Sequence, residues 1–397
     1  EDFIRPEEYY ADFSGDLENM NIDYAKRPDT KMGVEYYWSK SKIITPDHYL
    51  IISPMSEYSR LAGMTAYNGS VDYMSLTAFY FNDGAFPEAL RLAMVDYDYR
   101  QVYIYHSKPG SVSNEEYPTI LKNLFTEIKK YSPEAEIIFV ATNQKDVDVI
   151  NGIEEEKLSA VLVKSGEAAA TIQESIQNCT NTVTSHTRET DTYATKSREP
   201  IEWSKIYFNN PSTFADKNKR VLDIGASVMN ATYSHLVEAA PQFTIDGYFS
   251  SRGTNDVAMQ RELEFIFRQY DYDAIHFNGT SHVKSQTQDQ CYASVMVNVN
   301  LFKLAEPKAM ILMSNSTPKG TTTDLEHFSD ACGLDILDMT YAILQICDEQ
   351  GFPFDDLYNF AKDNGFIRID AIHYSPSGVE YPKLGKELAR YFRQYIK

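Results

Sequence analysis

Short, unbroken apolar runs alternate with amphipathic stretches along much of the chain. KRVLDIG, DAIHFN and AMILMSN have the continuous apolar character of strands buried on both faces. Between them, NATYSHLVEAA, AMQRELEFIFRQ and DMTYAILQICDEQ repeat apolar positions at helical spacing. This alternation predicts an α/β fold, a parallel sheet covered by helices on both sides. In such sheets functional groups collect beyond the carboxyl ends of the strands. Ser227, the stretch 278–282 and Asn315 each follow a predicted strand and are expected at that one edge.

The pattern occurs twice. Both tryptophans, Trp38 and Trp203, sit in a Trp-Ser-Lys tripeptide, and each is followed by an apolar run ending near a serine: HYLIISPMS at Ser56 and RVLDIGAS at Ser227. Residues 95–111 answer residues 268–285, and YSPEAEIIFVATNQ has the shape of AEPKAMILMSNSTP. Landmarks in the same order at a long period point to an internal duplication. Residues 178–200, rich in Ser, Thr and charge, read as linker. The expected division is a first domain over 1–178, a polar linker and lead-in over 179–215, and a second domain over 216–397.

At 397 residues the chain has room for two domains of ordinary size. No apolar run approaches the ~20 residues that span a bilayer. A net charge of −20 argues against nucleic acid and against anionic membrane surfaces. The four cysteines, Cys179, Cys291, Cys332 and Cys347, lack CxxC or zinc-site spacing and read as isolated thiols. No metal or cofactor is expected. No signal peptide is visible, and the sequence starts at Glu1 without a methionine, so the expected protein is cytoplasmic or secreted after leader removal.

Near the end of the second half, RIDAIHYSPSG brings Asp370 and His373 together ahead of a closing amphipathic pattern. A serine on a strand-to-helix turn is a weak nucleophile until a histidine takes its proton. That histidine needs a carboxylate to fix its tautomer. Ser227, His373 and Asp370 supply the three roles. Ser227 would equally serve as a helix N-cap, His276 as a structural strand residue and Asn278 as a turn former. The 29 tyrosines are spread along the chain and read as packing, and the sequons at Asn230, Asn278 and Asn315 carry little weight.

These residues resemble the SGNH, or GDSL, hydrolases over about 180 residues of the second half. The family's Gly-Asp-Ser turn appears as Gly225-Ala226-Ser227, with alanine in place of the aspartate. Gly253 in SSRGTND matches the second block. HFNGTSH departs from the usual third block and looks like a variant in which a histidine, here His282, replaces the oxyanion asparagine, with Asn278 nearby. Asp370-Ala371-Ile372-His373 matches the closing block. The resemblance implies two tandem three-layer α/β/α, flavodoxin-like domains. It also implies a metal-independent serine esterase with an oxyanion hole drawn from Ser227, Gly253, His282 and Asn278. The substrate class it implies is a small-molecule or polysaccharide ester, acetyl being the favoured acyl group. An O-acetyltransferase on the same triad and a weakened, binding-only relative are the competing readings. The first half keeps Ser56, but EEKLSAVLVKSGEAAA offers no histidine or aspartate, so that half is expected to be non-catalytic.

Overall fold

The computed structural model describes residues 34–41, 48–54, 61, 70–76, 85–94, 98–108, 112–181, 201–209, 219–254, 256–279, 287–319, 336–370 and 372–397. The chain divides into two compact units, Val34–Trp203 and Ser204–Lys397, the boundary falling within the strand Ile201–Phe208, most of which belongs to the second unit.

In the first unit the order of elements is β1 (Val34–Ser41), β2 (His48–Ser53), β3 (Ser70–Ser75), α1 (Phe86–Met94), β4 (Tyr99–Tyr105), α2 (Tyr117–Tyr131), β5 (Glu136–Ala141), α3 (Gln144–Asn151), β6 (Leu158–Leu162) and α4 (Ala168–Asn181). The strands lie in the order β1-β3-β2-β4-β5-β6. β1 is antiparallel to β3 and the remaining pairs are parallel. Every residue of β2 is buried, as its unbroken apolar run requires of an inner parallel strand. α2 buries Tyr117, Leu121, Leu124, Phe125 and Ile128, one stripe at helical spacing.

The second unit runs β7 (Ile201–Phe208), β8 (Lys219–Gly225), α5 (Ser227–Ala239), β9 (Phe243–Ser250), α6 (Val257–Phe267), β10 (Ala274–Asn278), α7 (Gln288–Ala305), β11 (Met310–Ser314), α8 (Ile336–Gln350), β12 (Phe354–Asp355), α9 (Leu357–Asp363) and α10 (Glu380–Tyr395). Its strand order, β7-β9-β8-β10-β11-β12, repeats that of the first unit position for position. β7 is antiparallel to β9 and the others are parallel. The first Trp-Ser-Lys lies in β1 and the second in β7, the two antiparallel strands. The lead-in segment ahead of the second domain therefore contains β7, a strand of that unit's sheet.

Period-two alternation along β10 shows how the sheet of the second unit is covered. Phe277 meets Phe302 of α7 edge-to-face at 5.3 Å on one side. His276 meets Phe392 of α10 at 5.4 Å on the other. Consecutive residues thus point to helices on opposite faces. The chain leaves β8 toward β9 on one side and reaches β10 on the other, which makes the carboxyl end of β8 the topological switch point.

Candidate active site

The turn after β8 presents Ser227 because residue 225 is glycine. A Cβ there would fall 2.4 Å from Cγ of Met229, so a side chain would push helix and strand apart. Ala226 occupies the N-cap position in extended geometry, with no side-chain capping bond. Ser227 is the first residue of α5 and not its cap, and its hydroxyl is committed elsewhere. The first helical bond runs from the N–H of Asn230 to the carbonyl of Ala226 at 2.8 Å. The N–H groups of Ser227, Val228 and Met229 have no acceptor within the helix. All three residues line an open cleft of about 330 Å³, at a helix end whose dipole favours negative charge.

Asp370 and His373 reach this cleft on a tight loop. The N–H of Ile369 donates to the carbonyl of His373 at 2.8 Å, closing the loop. Asp370 folds back on it, its Oδ1 accepting the N–H groups of Ile372 and His373, each at 2.7 Å. Those backbone bonds, more than the imidazole, hold the Asp370 carboxyl down at a pKa of about 2. Tyr374 anchors the far side. It is buried, packs edge-on to Phe366 at 5.4 Å and Tyr381 at 5.6 Å, and its N–H donates to the Tyr381 hydroxyl at 3.1 Å.

The imidazole of His373 joins the two pieces. Its Nδ1 lies 2.9 Å from Oδ2 of Asp370, and its Nε2 lies 2.8 Å from Oγ of Ser227. An ionised carboxylate at Nδ1 places the proton there and leaves Nε2 as acceptor for the serine hydroxyl. The chain Asp370–His373–Ser227 is the arrangement in which a histidine can take the serine's proton.

The remaining expected site residues distribute unevenly. Gly253 lies in the buried turn after β9, and its neighbours Arg252 and Thr254 line a second cleft that also touches Ala226. His282 and Ser56 lie outside the described residues. Asn278 ends β10 and faces the cleft, but its amide donates to Oγ of Ser314 at 3.0 Å and to the carbonyl of Asn315 at 2.7 Å. Both amide hydrogens are thereby used within the sheet edge. That use of the amide speaks against Asn278 as the expected oxyanion donor.

Sequence reading passed over a buried polar chain beneath the cleft. Nδ1 of His276 is 2.6 Å from Asp223, and its Nε2 is 2.9 Å from Ser314, all three residues being fully enclosed. The signal was present: an aspartate inside KRVLDIG and a histidine inside DAIHFN interrupt strands otherwise apolar enough for a two-sided core. Among the described residues no group of three or more His, Cys, Asp or Glu is placed to hold a metal ion, and no helix is long and apolar enough to cross a membrane.

No family model matches the sequence, and no curated protein matches it. Solved structures similar to the chain include lipases and esterases, two of them described as GDSL-type. One is an inhibitor-bound aryl esterase of M. smegmatis, at 14% identity over 45% of this chain and 100% of that one, TM-score 0.35. A carbohydrate acetylesterase family member from Sinorhizobium meliloti matches at 19% identity over 44% and 98%, TM-score 0.34. A member of the lipolytic G-D-S-L family from Veillonella parvula matches at 12% over 45% and 99%, TM-score 0.34.

Proposed function

We propose that the second unit is a serine esterase of the SGNH type that removes a small acyl group, acetyl foremost, from a carbohydrate or related hydroxylated substrate. The observation that carries this reading is the continuous relay from Asp370 through His373 to Ser227, at 2.9 and 2.8 Å, opening on an uncapped helix N-terminus.

In the proposed mechanism, Oγ of Ser227 attacks the ester carbonyl carbon as its proton passes to Nε2 of His373. Asp370 stabilises the imidazolium. Negative charge on the former carbonyl oxygen is met by the N–H groups of Ser227 and Gly253, with His282 as a third donor. One such donor is typically worth about 3 kcal/mol in the transition state. The imidazolium then protonates the leaving alkoxide, and the acyl group stays on Ser227. Water, deprotonated by His373, attacks the acyl-enzyme and frees the acid and the serine.

The first unit is read as a non-catalytic relative of the second. Its identical strand order supports a common origin. His106, which follows β4, is packed against Tyr117 and Phe139, and burial lowers its pKa to about 3. An enclosed imidazole whose burial disfavours protonation is a poor candidate for a solvent-facing base.

The direct test is hydrolysis of p-nitrophenyl acetate near neutral pH by the intact chain beside Ser227→Ala. Release of nitrophenol that disappears in the variant is the expected result. Ser227-dependent acetylation of an added sugar in place of acetate release would assign the transferase chemistry instead. Turnover equal in the two proteins, or absent from both, would contradict ester hydrolysis through Ser227 and favour the binding-only reading or a transferase with a closed acyl pocket.

A further inference from the structure

Two clefts meet at Asn278. The first holds Ser227. The second, an open cleft of about 260 Å³, is lined by the apolar Ile224, Met259 and Phe277 and by the polar Ser250, Arg252 and Thr254. The linings share two residues, Ala226 and Asn278. Both residues stand as a wall between the two clefts, and Asn278 carries the larger side chain of the pair.

That wall is held from below. Cross-strand register sets Asp223 beside His276 and Asn278 beside Ser314. Asp223 accepts from Nδ1–H of His276, Nε2 of His276 accepts the Ser314 hydroxyl, and Ser314 Oγ accepts the Asn278 amide at 3.0 Å. Each bond fixes the direction of the next. Oδ2 of Asp223 has no hydrogen-bond partner among the described residues. A buried carboxylate satisfied on one oxygen is costly compared with an apolar filling. Departures of this kind from core rules concentrate at functional sites.

Resting on the esterase reading, we propose that Asn278 is the partition that limits the length of the acyl group, and that Asp223, His276 and Ser314 are positioning residues that hold it upright. Opening the wall would join the Ser227 cleft to its neighbour, where Ile224, Met259 and Phe277 could pack against a longer acyl chain.

The test compares kcat/KM for p-nitrophenyl hexanoate and acetate in the full chain, Asn278→Ala, Ser314→Ala and the double variant. The hexanoate-to-acetate ratio is expected to rise about tenfold or more in Asn278→Ala and about threefold in Ser314→Ala. The double variant is expected to go no higher than Asn278→Ala alone, because Ser314 acts only through Asn278. A ratio within about twofold of the parent in Asn278→Ala, or effects that multiply in the double variant, would overturn the proposal. Should Asn278→Ala melt early, Asn278→Ser makes a similar opening with a hydroxyl for Ser314 to meet, and the same ratio decides. Turnover that survives Ser227→Ala overturns the esterase reading and the partition together. Ser227-dependent turnover with an unmoved ratio overturns the partition alone.

Discussion

Nε2 of His373 stands 2.8 Å from Oγ of Ser227, a residue 146 positions earlier in the chain. Two elements make this meeting possible: α5, which starts at the serine, and the loop ahead of α10, which carries the histidine. Removing either partner should abolish ester hydrolysis. Ser227→Ala and His373→Ala are expected to lower kcat by about 10⁴-fold or more. Asp370→Asn keeps the loop shape but no longer fixes the tautomer, with an expected loss of at least ~10²-fold. Steady-state rates on p-nitrophenyl acetate measure all three, and an Asp370→Asn rate near the parent's would remove that residue from the mechanism.

Helices α5 and α10 touch where residue 385 is glycine. A Cβ there would come within 2.7 Å of the His235 backbone and 2.8 Å of Leu236 N, backbone atoms that cannot rotate away. Gly385→Ala should separate the helices, costing about 1–3 kcal/mol. Because one helix starts at Ser227 and the other follows His373, kcat should fall about tenfold as well. Denaturant unfolding and kinetics on the same preparation test the coupling. Lost stability with unchanged kcat would show that the triad tolerates the shift.

At the opposite ends of these strands, Arg220 holds the enclosed Asp246 with two bonds, 2.8 Å from Nε and 3.0 Å from Nη2. Tyr272 donates to the same carboxylate at 2.8 Å, as does the N–H of Asn209. Asp246→Ala strands a guanidinium and a hydroxyl in the interior, an expected loss of about 3–5 kcal/mol. Urea unfolding should show it as a lower midpoint, and a midpoint within experimental error of the parent's would contradict this assignment.

Glu306, the C-cap residue of α7, is buried, and desolvation reinforced by Asp271 and Asp273 raises its pKa from 4.5 to about 8. The folded state therefore binds this proton more tightly than the unfolded state does. The linked contribution to stability falls as pH rises from about 4.5 to 8. Each unit of displacement corresponds to about 1.4 kcal/mol, so Glu306→Gln should raise Tm clearly at pH 8 and hardly at pH 4. Parallel Tm–pH curves for the two proteins would refute it.

Much of this was legible in the chain itself. KRVLDIG, DAIHFN and AMILMSN are strands because their apolar runs leave no solvent face. Motif order alone singled out Ser227, His373 and Asp370, which lie within hydrogen-bond distance of one another, at 2.8 and 2.9 Å. Other features depend on pairings that no local pattern encodes. Trp203 belongs to an antiparallel strand whose partner, β9, lies some forty residues onward. The amide of Asn278 is claimed by Ser314, 36 positions away, and that bond appears only once β10 and β11 are in register. The anchoring of Tyr374 by Tyr381 is likewise a matter of packing, since nothing in YSPSGVEY distinguishes it from the chain's other tyrosines.

The most direct measurement is the intact mass of the protein after treatment with diethyl p-nitrophenyl phosphate, which reacts with an activated serine. One diethylphosphoryl adduct, mapped to Ser227, absent from Ser227→Ala and greatly slowed in His373→Ala, is the result predicted by the relay. An unmodified protein, or labelling that Ser227→Ala leaves unchanged, would contradict it.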